Sequence, residues 1–310
     1  MDYSTFKKEI PELIGLKLGA EYKVRLFELR KCNGIVQDNL SIQKRDTSIS
    51  PCIDLRYYFQ KYIQGTGIED IANAIIAYYM RSMPEQLEPD KLLNPAYIRN
   101  QIVCSLVNTD RSQEFLKECP HFPFLNLSVV FYLLIDDIKI GSGTVLLRNF
   151  HMQQMRLKKE ELLGLAMKNM GRLLPADFMT TEQLISELRG SSQETENGTD
   201  ECSDGQADSE DMDKRLQLFV LTNSRRSYGA VWMMDVEVLR KVADQLKDDF
   251  YVIPSSIHEC MVLPAGSHLK TESISRIVRR INRTKVAPEE VLADSVYRYD
   301  RARGRLVIAA

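Results

Sequence analysis

The sequence is poor in several patterns that mark particular classes of protein. It has one tryptophan and four histidines, and its six cysteines are scattered without a C-x-x-C pair. Neither a G-x-S-x-G nor an H-E-x-x-H pattern occurs. These absences remove the usual signatures of zinc sites, redox dithiols, α/β-hydrolases and zinc proteases. We therefore predict no cofactor and no metal site.

Long apolar runs are missing too. The longest, residues 129–135, has the length of a strand, whereas about 18 apolar residues are needed to span a bilayer. The first 15 residues have no apolar signal core. Together with the unpaired pattern of cysteines, these features predict a cytoplasmic protein that does not associate with membranes.

The length and composition of the chain fit a globular protein. The chain has 310 residues, of which 44% are apolar and 27% charged. Residues 191–213 hold nine acidic and no basic residues, so the net charge of −2 for the whole chain would be +7 without them. This stretch has no aromatic residue and no Val, Ile or Leu, so we expect a disordered linker. It divides the chain into an N-terminal part, 1–190, and a C-terminal part, 214–310.

The C-terminal part shows a repeated order of patterns. A strand, a turn, a strand ("AVWMM") and an amphipathic helix are followed by "FYVI", "PSSIH", "ECMVL" and a second amphipathic helix. A short helix is predicted to begin at Pro288, and a hairpin closes the chain. These two strand–turn–strand–helix units in tandem predict an antiparallel sheet with helices on one face.

The N-terminal part is less regular but of the same class. Two strand-like stretches are joined through Asn33-Gly34, which is a hairpin signal. Several amphipathic helices and two further strands follow. The fold class predicted for the whole chain is α+β.

Several stretches are familiar as a set: "VLTNSRRSYGA", "FYVIPSSIHE", "INRTKVAPEEVLADSVYRYDR" and, earlier, "LVNTDRSQEFLKECPHFPFLNLSVVFYL". They resemble a bacterial family known only as a domain of unknown function. The resemblance covers nearly the whole chain apart from the acidic linker. It implies a cytosolic bacterial protein and transfers no catalytic residue, cofactor or partner.

The stretch "PSSIHE" offers the atom types of a nucleophilic site. Ser255 or Ser256 could act as nucleophile, His258 as base, and Glu259 as the group that orients the base. The same residues also make an ordinary turn, because Pro254 fixes φ and serine bonds to nearby backbone. Strand alternation would place His258 and Glu259 on opposite faces, which separates the base from that carboxylate.

The last amphipathic helix offers a binding face. Arg276, Arg279, Arg280 and Arg283 lie opposite its isoleucines, and together with Asn282 they could bind nucleic-acid phosphates or an acidic protein surface. The polar segment that follows, with Asn282, Glu290 and Asp294, either holds its own turn together or lines a pocket with "PSSIH".

Three functions remain open from the sequence. The leading hypothesis is a non-enzymatic module that binds a protein partner through a sheet surface or the basic helix. The first alternative is a hydrolase that uses His258 with Ser255 or Ser256. The second is a nucleic-acid binder that uses the basic helix, residues 272–283.

Overall fold

The computed structural model describes residues 1–45, 50–82, 94–137, 141–155, 157–191, 217–254, 256–267 and 269–309. Its helices are α1 (Tyr3–Leu18), α2 (Leu55–Ile63), α3 (Ile68–Ser82), α4 (Pro95–Gln101), α5 (Gln113–Leu116), α6 (Asn149–Gln154), α7 (Lys159–Leu173), α8 (Thr181–Ser191), α9 (Val236–Leu246) and α10 (Thr271–Thr284). Its strands are β1 (Tyr22–Arg30), β2 (Val36–Lys44), β3 (Ile53–Asp54), β4 (Ile102–Asn108), β5 (His121–Phe124), β6 (Leu127–Asp137), β7 (Gly141–Leu146), β8 (Ala176–Thr180), β9 (Phe219–Asn223), β10 (Phe250–Ile253), β11 (Cys260–Pro264), β12 (Tyr297–Asp300) and β13 (Arg305–Ile308). The predicted α+β class is confirmed.

One compact unit consists of residues 1–101 and 133–145. Its β1–β2 hairpin turns where the sequence predicts, with Asn33 and Gly34 both at positive φ (59° and 71°). Such φ values suit glycine and, among other residues, asparagine. Apolar side chains of α1, α2 and α3 pack with those of β2 into one core, in which Phe6 and Leu40 are fully buried.

The other compact unit consists of residues 102–132 and 146–310. Its largest sheet has the strand order β13-β12-β10-β11-β9-β8, and the neighbouring strands pair antiparallel. A second sheet has the strand order β4-β6-β5. Asn169 of α7 donates from Nδ2 to the Ile102 carbonyl at 2.8 Å, so a buried side-chain amide joins this helix to the start of β4.

The contacts group the chain differently from its composition. Strand β8 precedes the acidic stretch and β9 follows it, yet the two pair over five residues from Ala176↔Asn223 to Thr180↔Phe219. The acidic composition marks a boundary along the sequence. Backbone hydrogen bonds nevertheless join strands from the two sides of that boundary. Apart from Ser191, the predicted linker at 191–213 lies outside the described residues.

The tandem units differ in one element. The second unit has the predicted order: β10, a turn, β11 and then α10. In the first unit, β9 leads into a 3₁₀ helix at Gly229–Met234, so the strand predicted at "AVWMM" is wrong. Residues 229–233 are all buried, and Trp232 Nε1 donates to the Leu174 carbonyl at 3.1 Å. A continuous apolar run does not distinguish a strand from a buried helical turn.

Candidate functional site

Two segments that are far apart in sequence lie side by side in the second unit. We call residues 254–258 the serine loop and residues 288–294 the acidic loop. Ile257 N–H donates to the Glu290 carbonyl at 3.0 Å, and Ala293 N–H donates to the Pro254 carbonyl at 3.2 Å. Ser256 and Val291 form an isolated antiparallel bridge. The polar segment after α10 therefore does lie next to the stretch "PSSIH".

The acidic loop is a turn and not the short helix predicted from Pro288, so that prediction is wrong. Glu290 N–H and Val291 N–H both donate to the Ala287 carbonyl, at 2.8 and 3.2 Å. No helical bonds follow, because the chain continues into the contacts with Pro254 and Ser256. Backbone groups that would form helical hydrogen bonds, such as the Glu290 carbonyl and the Ala293 N–H, are instead bonded to the serine loop.

His258 connects the serine loop to two other segments. Its Nε2 lies 3.3 Å from Glu290 Oε1, and its Nδ1 lies 3.3 Å from the Tyr228 backbone nitrogen. A backbone N–H can only donate, so Nδ1 accepts and the neutral ring carries its proton on Nε2, facing Glu290. Both ring nitrogens are thus engaged, which leaves neither free to take a proton from a substrate.

Ser256 does not form a nucleophile–base pair with His258 in the described structure. Ser256 is buried, and its Oγ accepts from the His258 backbone N–H at 3.1 Å. No bond from this Oγ to the imidazole is present among the described residues. Ser255 lies outside the described residues. The Ser256 hydroxyl thus serves the turn, as in the turn alternative that the sequence left open.

Glu259 is not the carboxylate that reaches the histidine. That carboxylate is Glu290, which the acidic loop brings within 3.3 Å of the imidazole. Strand alternation separates His258 from Glu259, and the polar segment with Glu290 was predicted either to hold its own turn or to line a pocket with "PSSIH". The sequence does not pair Glu290 with His258, because the two residues belong to different segments.

Behind His258 the backbone of the loop 223–229 makes an unusually close approach. A Cβ atom at Gly229 would lie 2.5 Å from the His258 carbonyl oxygen and 2.5 Å from Thr222 Oγ1, so only glycine fits. Thr222 Oγ1 donates to that same carbonyl at 2.9 Å. Tyr228, just before the glycine, has a left-handed backbone with φ 59°. Non-glycine residues are held in this region only where their surroundings determine it.

Side chains and rings stabilise this loop. Asn223 Oδ1 accepts from the backbone N–H groups of Arg225 and Ser227, at 3.0 and 3.3 Å. The Tyr228 ring stacks on Tyr132, with centroids 4.9 Å apart, and on His258, with centroids 5.9 Å apart. Sequence reasoning missed the roles of Tyr132, Thr222, Tyr228 and Gly229. The one local signal of this loop in the sequence is Gly229, which directly follows the turn-like stretch "NSRRSY".

Asn282 is a structural residue of α10 rather than part of its exposed face. It is buried, and its Nδ2 donates to the Ala293 carbonyl at 2.9 Å and to Asp294 Oδ1 at 2.8 Å. Asp294 in turn pairs with Arg111 at 2.7 Å. Asn282 therefore fixes the acidic loop to α10, and a partner on the outer face of the helix cannot reach it.

The four arginines predicted as a binding set do form one exposed face of α10. Arg276, Arg279, Arg280 and Arg283 fall within an arc of about 100°, taking about 100° per residue. We call them the arginine face. Arg276 bonds Ser273 Oγ at 3.2 Å, and none of the four has an ion pair within the described residues.

Other arginines of the same unit differ in this respect. Arg298 pairs with Asp249 at 2.8 Å, Arg301 with Asp244 at 3.1 Å and Arg226 with Glu187 at 2.5 Å. The arginine face is thus a local concentration of positive charge that nearby carboxylates do not neutralise in the described structure.

The cysteines and histidines do not assemble a metal centre in the part of the chain that the structure describes. No group of three or more His, Cys, Asp or Glu side chains is placed to hold an ion there. Burial raises the pKa of the Cys119 thiol to about 12, so this thiol stays protonated at neutral pH. The Cys104 thiol, which is fully buried, has its pKa raised to about 12 by the same cause.

Comparisons with known proteins agree with the resemblance seen in the sequence. A family model described as "Family of unknown function (DUF5688)" matches residues 3–301. No curated protein matches the chain, and no solved structure matches it either. Among the described residues, no helix combines the length and the apolar character needed to cross a membrane. Because the match extends over nearly the whole sequence, the chain belongs to the DUF5688 family.

Proposed function

We propose that the protein is a non-enzymatic binding module, and that the arginine face of α10 docks onto an acidic surface of a protein partner. The observation that carries this proposal is the exposure of four arginines on one helix face without an ion pair among the described residues. Exposed charges of one sign attract a partner of the opposite sign and set the orientation in which it binds.

The chemistry of the face suits carboxylates on a protein. A guanidinium group is planar and can bond a carboxylate through two parallel N–H groups, and arginine is enriched at protein interfaces. The buried side of α10, including Ile274 and Val278, holds the helix in place while the arginines stay free.

The geometry supports the hydrolase alternative less well. A serine hydrolase needs a hydroxyl bonded to the base, whereas the Ser256 hydroxyl bonds backbone and both nitrogens of His258 are engaged. The same contacts give His258 a clear structural role, since it joins the serine loop, the acidic loop and the loop 223–229.

We place this binding in the cytoplasm of a bacterium, in keeping with the family resemblance seen in the sequence. The five described cysteines are free thiols, which fits a reducing compartment. The resemblance itself came from motifs spread over nearly the whole chain.

The proposal is tested with the variant Arg276→Glu, Arg279→Glu, Arg280→Glu. Its matched control is Lys23→Glu, Arg25→Glu, Lys241→Glu, which changes the net charge equally at exposed cations that also have no ion pair in the described structure. Fluorescence anisotropy would measure binding to a labelled Glu-rich peptide and to a DNA duplex, at several salt concentrations.

We expect the wild-type chain and the control to bind the acidic peptide. The arginine-face variant should bind it at least about tenfold more weakly, because three attractions become repulsions. Equal peptide binding by all three chains would contradict the proposal. A stronger and more salt-dependent preference for the duplex would instead support the nucleic-acid alternative.

A further inference from the structure

The second unit contains a cavity of about 360 Å³ that is separate from the loops around His258 and from the residues of the arginine face. Its walls are built by the chain around α5 and β5 and by the chain around α6 and the start of α7. The volume is at the lower end of the range of about 300–1,000 Å³ that is typical of small-molecule sites. Its apolar lining consists of Leu116, Pro120, Met152 and Leu157.

His121 lines this cavity with an imidazole whose orientation is fixed. Its Nδ1 lies 3.0 Å from the Cys119 carbonyl oxygen. A carbonyl oxygen can only accept, so Nδ1 carries the proton and, in the neutral ring, Nε2 keeps its lone pair. This is the reverse of His258: no partner of the His121 Nε2 is found within the described residues. The cavity therefore offers an acceptor to a ligand hydroxyl or N–H group.

Two lysines give the cavity positive charge. Lys159 Nζ lies 5.1 Å from the centroid of the Phe122 ring, a cation–π distance, and has no ion pair in the described part of the chain. Lys117 pairs with Glu114 at 2.5 Å, where both groups are largely exposed to solvent. None of the described lining residues is a carboxylate. Lys159 is therefore the group that can receive an anion.

The cavity is preformed by bonds between its two walls. Asn149 N–H donates to the Glu118 carbonyl at 3.0 Å, and Asn149 Nδ2 donates to the Lys117 carbonyl at 2.8 Å. Arg148 forms an ion pair with Glu118. A site that is already ordered loses little conformational entropy when a ligand binds.

We propose that this cavity binds a small organic anion that also carries a hydroxyl group. Lys159 holds the anionic group, the His121 Nε2 accepts from the hydroxyl, and Leu116, Met152 and Leu157 cover the carbon skeleton. This site uses no residue of the arginine face, so it does not depend on the function proposed above.

Isothermal titration with 4-hydroxybenzoate tests the proposal, since this compound has a carboxylate, a hydroxyl and an apolar ring. Benzoate lacks the hydroxyl, 4-hydroxybenzyl alcohol lacks the charge, and inorganic phosphate lacks the apolar body. We expect 4-hydroxybenzoate to bind most tightly, with a gain of roughly tenfold over each of the other three. The His121 imidazole nitrogens should shift in NMR spectra of the complex.

Variants assign the binding to the cavity. Lys159→Ala and His121→Phe should each weaken binding roughly tenfold, whereas Lys158→Ala, a neighbouring lysine outside the lining, should leave it unchanged. Circular dichroism confirms that each variant is folded. The proposal is overturned if 4-hydroxybenzoate does not bind at millimolar concentrations. It is equally overturned if the Lys159 and His121 variants bind as tightly as the wild-type chain.

Discussion

At the residue scale, His258 is where three loops of the second unit meet. Its two ring nitrogens and its carbonyl are bonded to Glu290, to the Tyr228 backbone and to Thr222.

We expect His258→Ala to lower the free energy of unfolding by about 1–3 kcal/mol, because it leaves polar groups without partners. Urea denaturation measures this change. Glu259→Ala is the control and should stay within about 0.5 kcal/mol. A His258→Ala variant as stable as the wild-type chain would contradict the structural role.

Gly229 gives a second prediction at this scale. Alanine there would bring a Cβ within 2.5 Å of the His258 carbonyl oxygen, so the loop must shift and we expect a loss of about 1–3 kcal/mol. Gly164→Ala is the matched control, since its Cβ meets nothing within 4 Å in the middle of α7. That change should instead stabilise the protein, by about 0.5–1 kcal/mol. Thermal denaturation of both variants compares them, and a neutral Gly229→Ala would refute the close approach.

The sequence identified some of these residues and not others for a physical reason. His258 and Ser256 stand out because their atom types are chemically unusual within a short stretch. Glu290 and Tyr228 are ordinary in their own segments, and their roles arise only when tertiary contacts bring those segments together. Asn282 was selected as a binding residue because it lies beside the arginines in the sequence. The turn of the helix buries its side chain against the acidic loop, so its role is structural.

At the scale of elements, the turn before β10 is joined to the terminal hairpin by Asp249. This carboxylate accepts from the Arg301 backbone N–H at 3.0 Å and from Arg298 Nη2 at 2.8 Å. The backbone bond from Arg301 and the neighbouring guanidinium groups of Arg298 and Arg301 lower the pKa of Asp249 below its ordinary value. A lowered pKa in the folded state stabilises the protein above the unfolded-state pKa of about 4, and the stabilisation is lost as the pH falls through the folded-state pKa.

Asp249→Asn should therefore lower the free energy of unfolding at pH 7 by about 1–2 kcal/mol. The difference from the wild-type chain should shrink as the pH falls below about 4. Urea denaturation over a pH series measures both effects. Asp244→Asn is the control, since it removes a more exposed partner of the same Arg301. A difference that is the same at every pH would show that the Asp249 charge is not responsible.

Elements were predictable where the signal is local. The Asn33-Gly34 hairpin and the amphipathic face of α10 depend on neighbouring residues and on a helical or alternating period, which the sequence displays directly. The 3₁₀ helix at Gly229–Met234 was missed because it is buried on all sides and has no alternation. The pairing of β8 with β9 was missed because the acidic stretch between them dominates the composition there.

At the scale of the whole molecule, two polar regions of the second unit differ in the bonds that their side chains form. Around His258 the polar groups form internal hydrogen bonds, whereas the four arginines of the arginine face form no ion pair in the described part of the chain. The four arginines that the helical period puts on one face are all exposed. The sequence left docking and catalysis open, because it does not show which hydrogen bonds His258 and Ser256 make.

The most direct test of the proposed docking is affinity capture from lysate of the host organism, with and without nuclease treatment, read by quantitative mass spectrometry. The wild-type chain, the Arg276→Glu, Arg279→Glu, Arg280→Glu variant and its charge-matched control are compared side by side. We predict that the wild-type chain and the control retain the same acidic protein in similar molar amounts, and that the variant loses it. Retention of that protein by the variant, or recovery of only nuclease-sensitive material, would contradict the claim that the arginine face binds a protein partner.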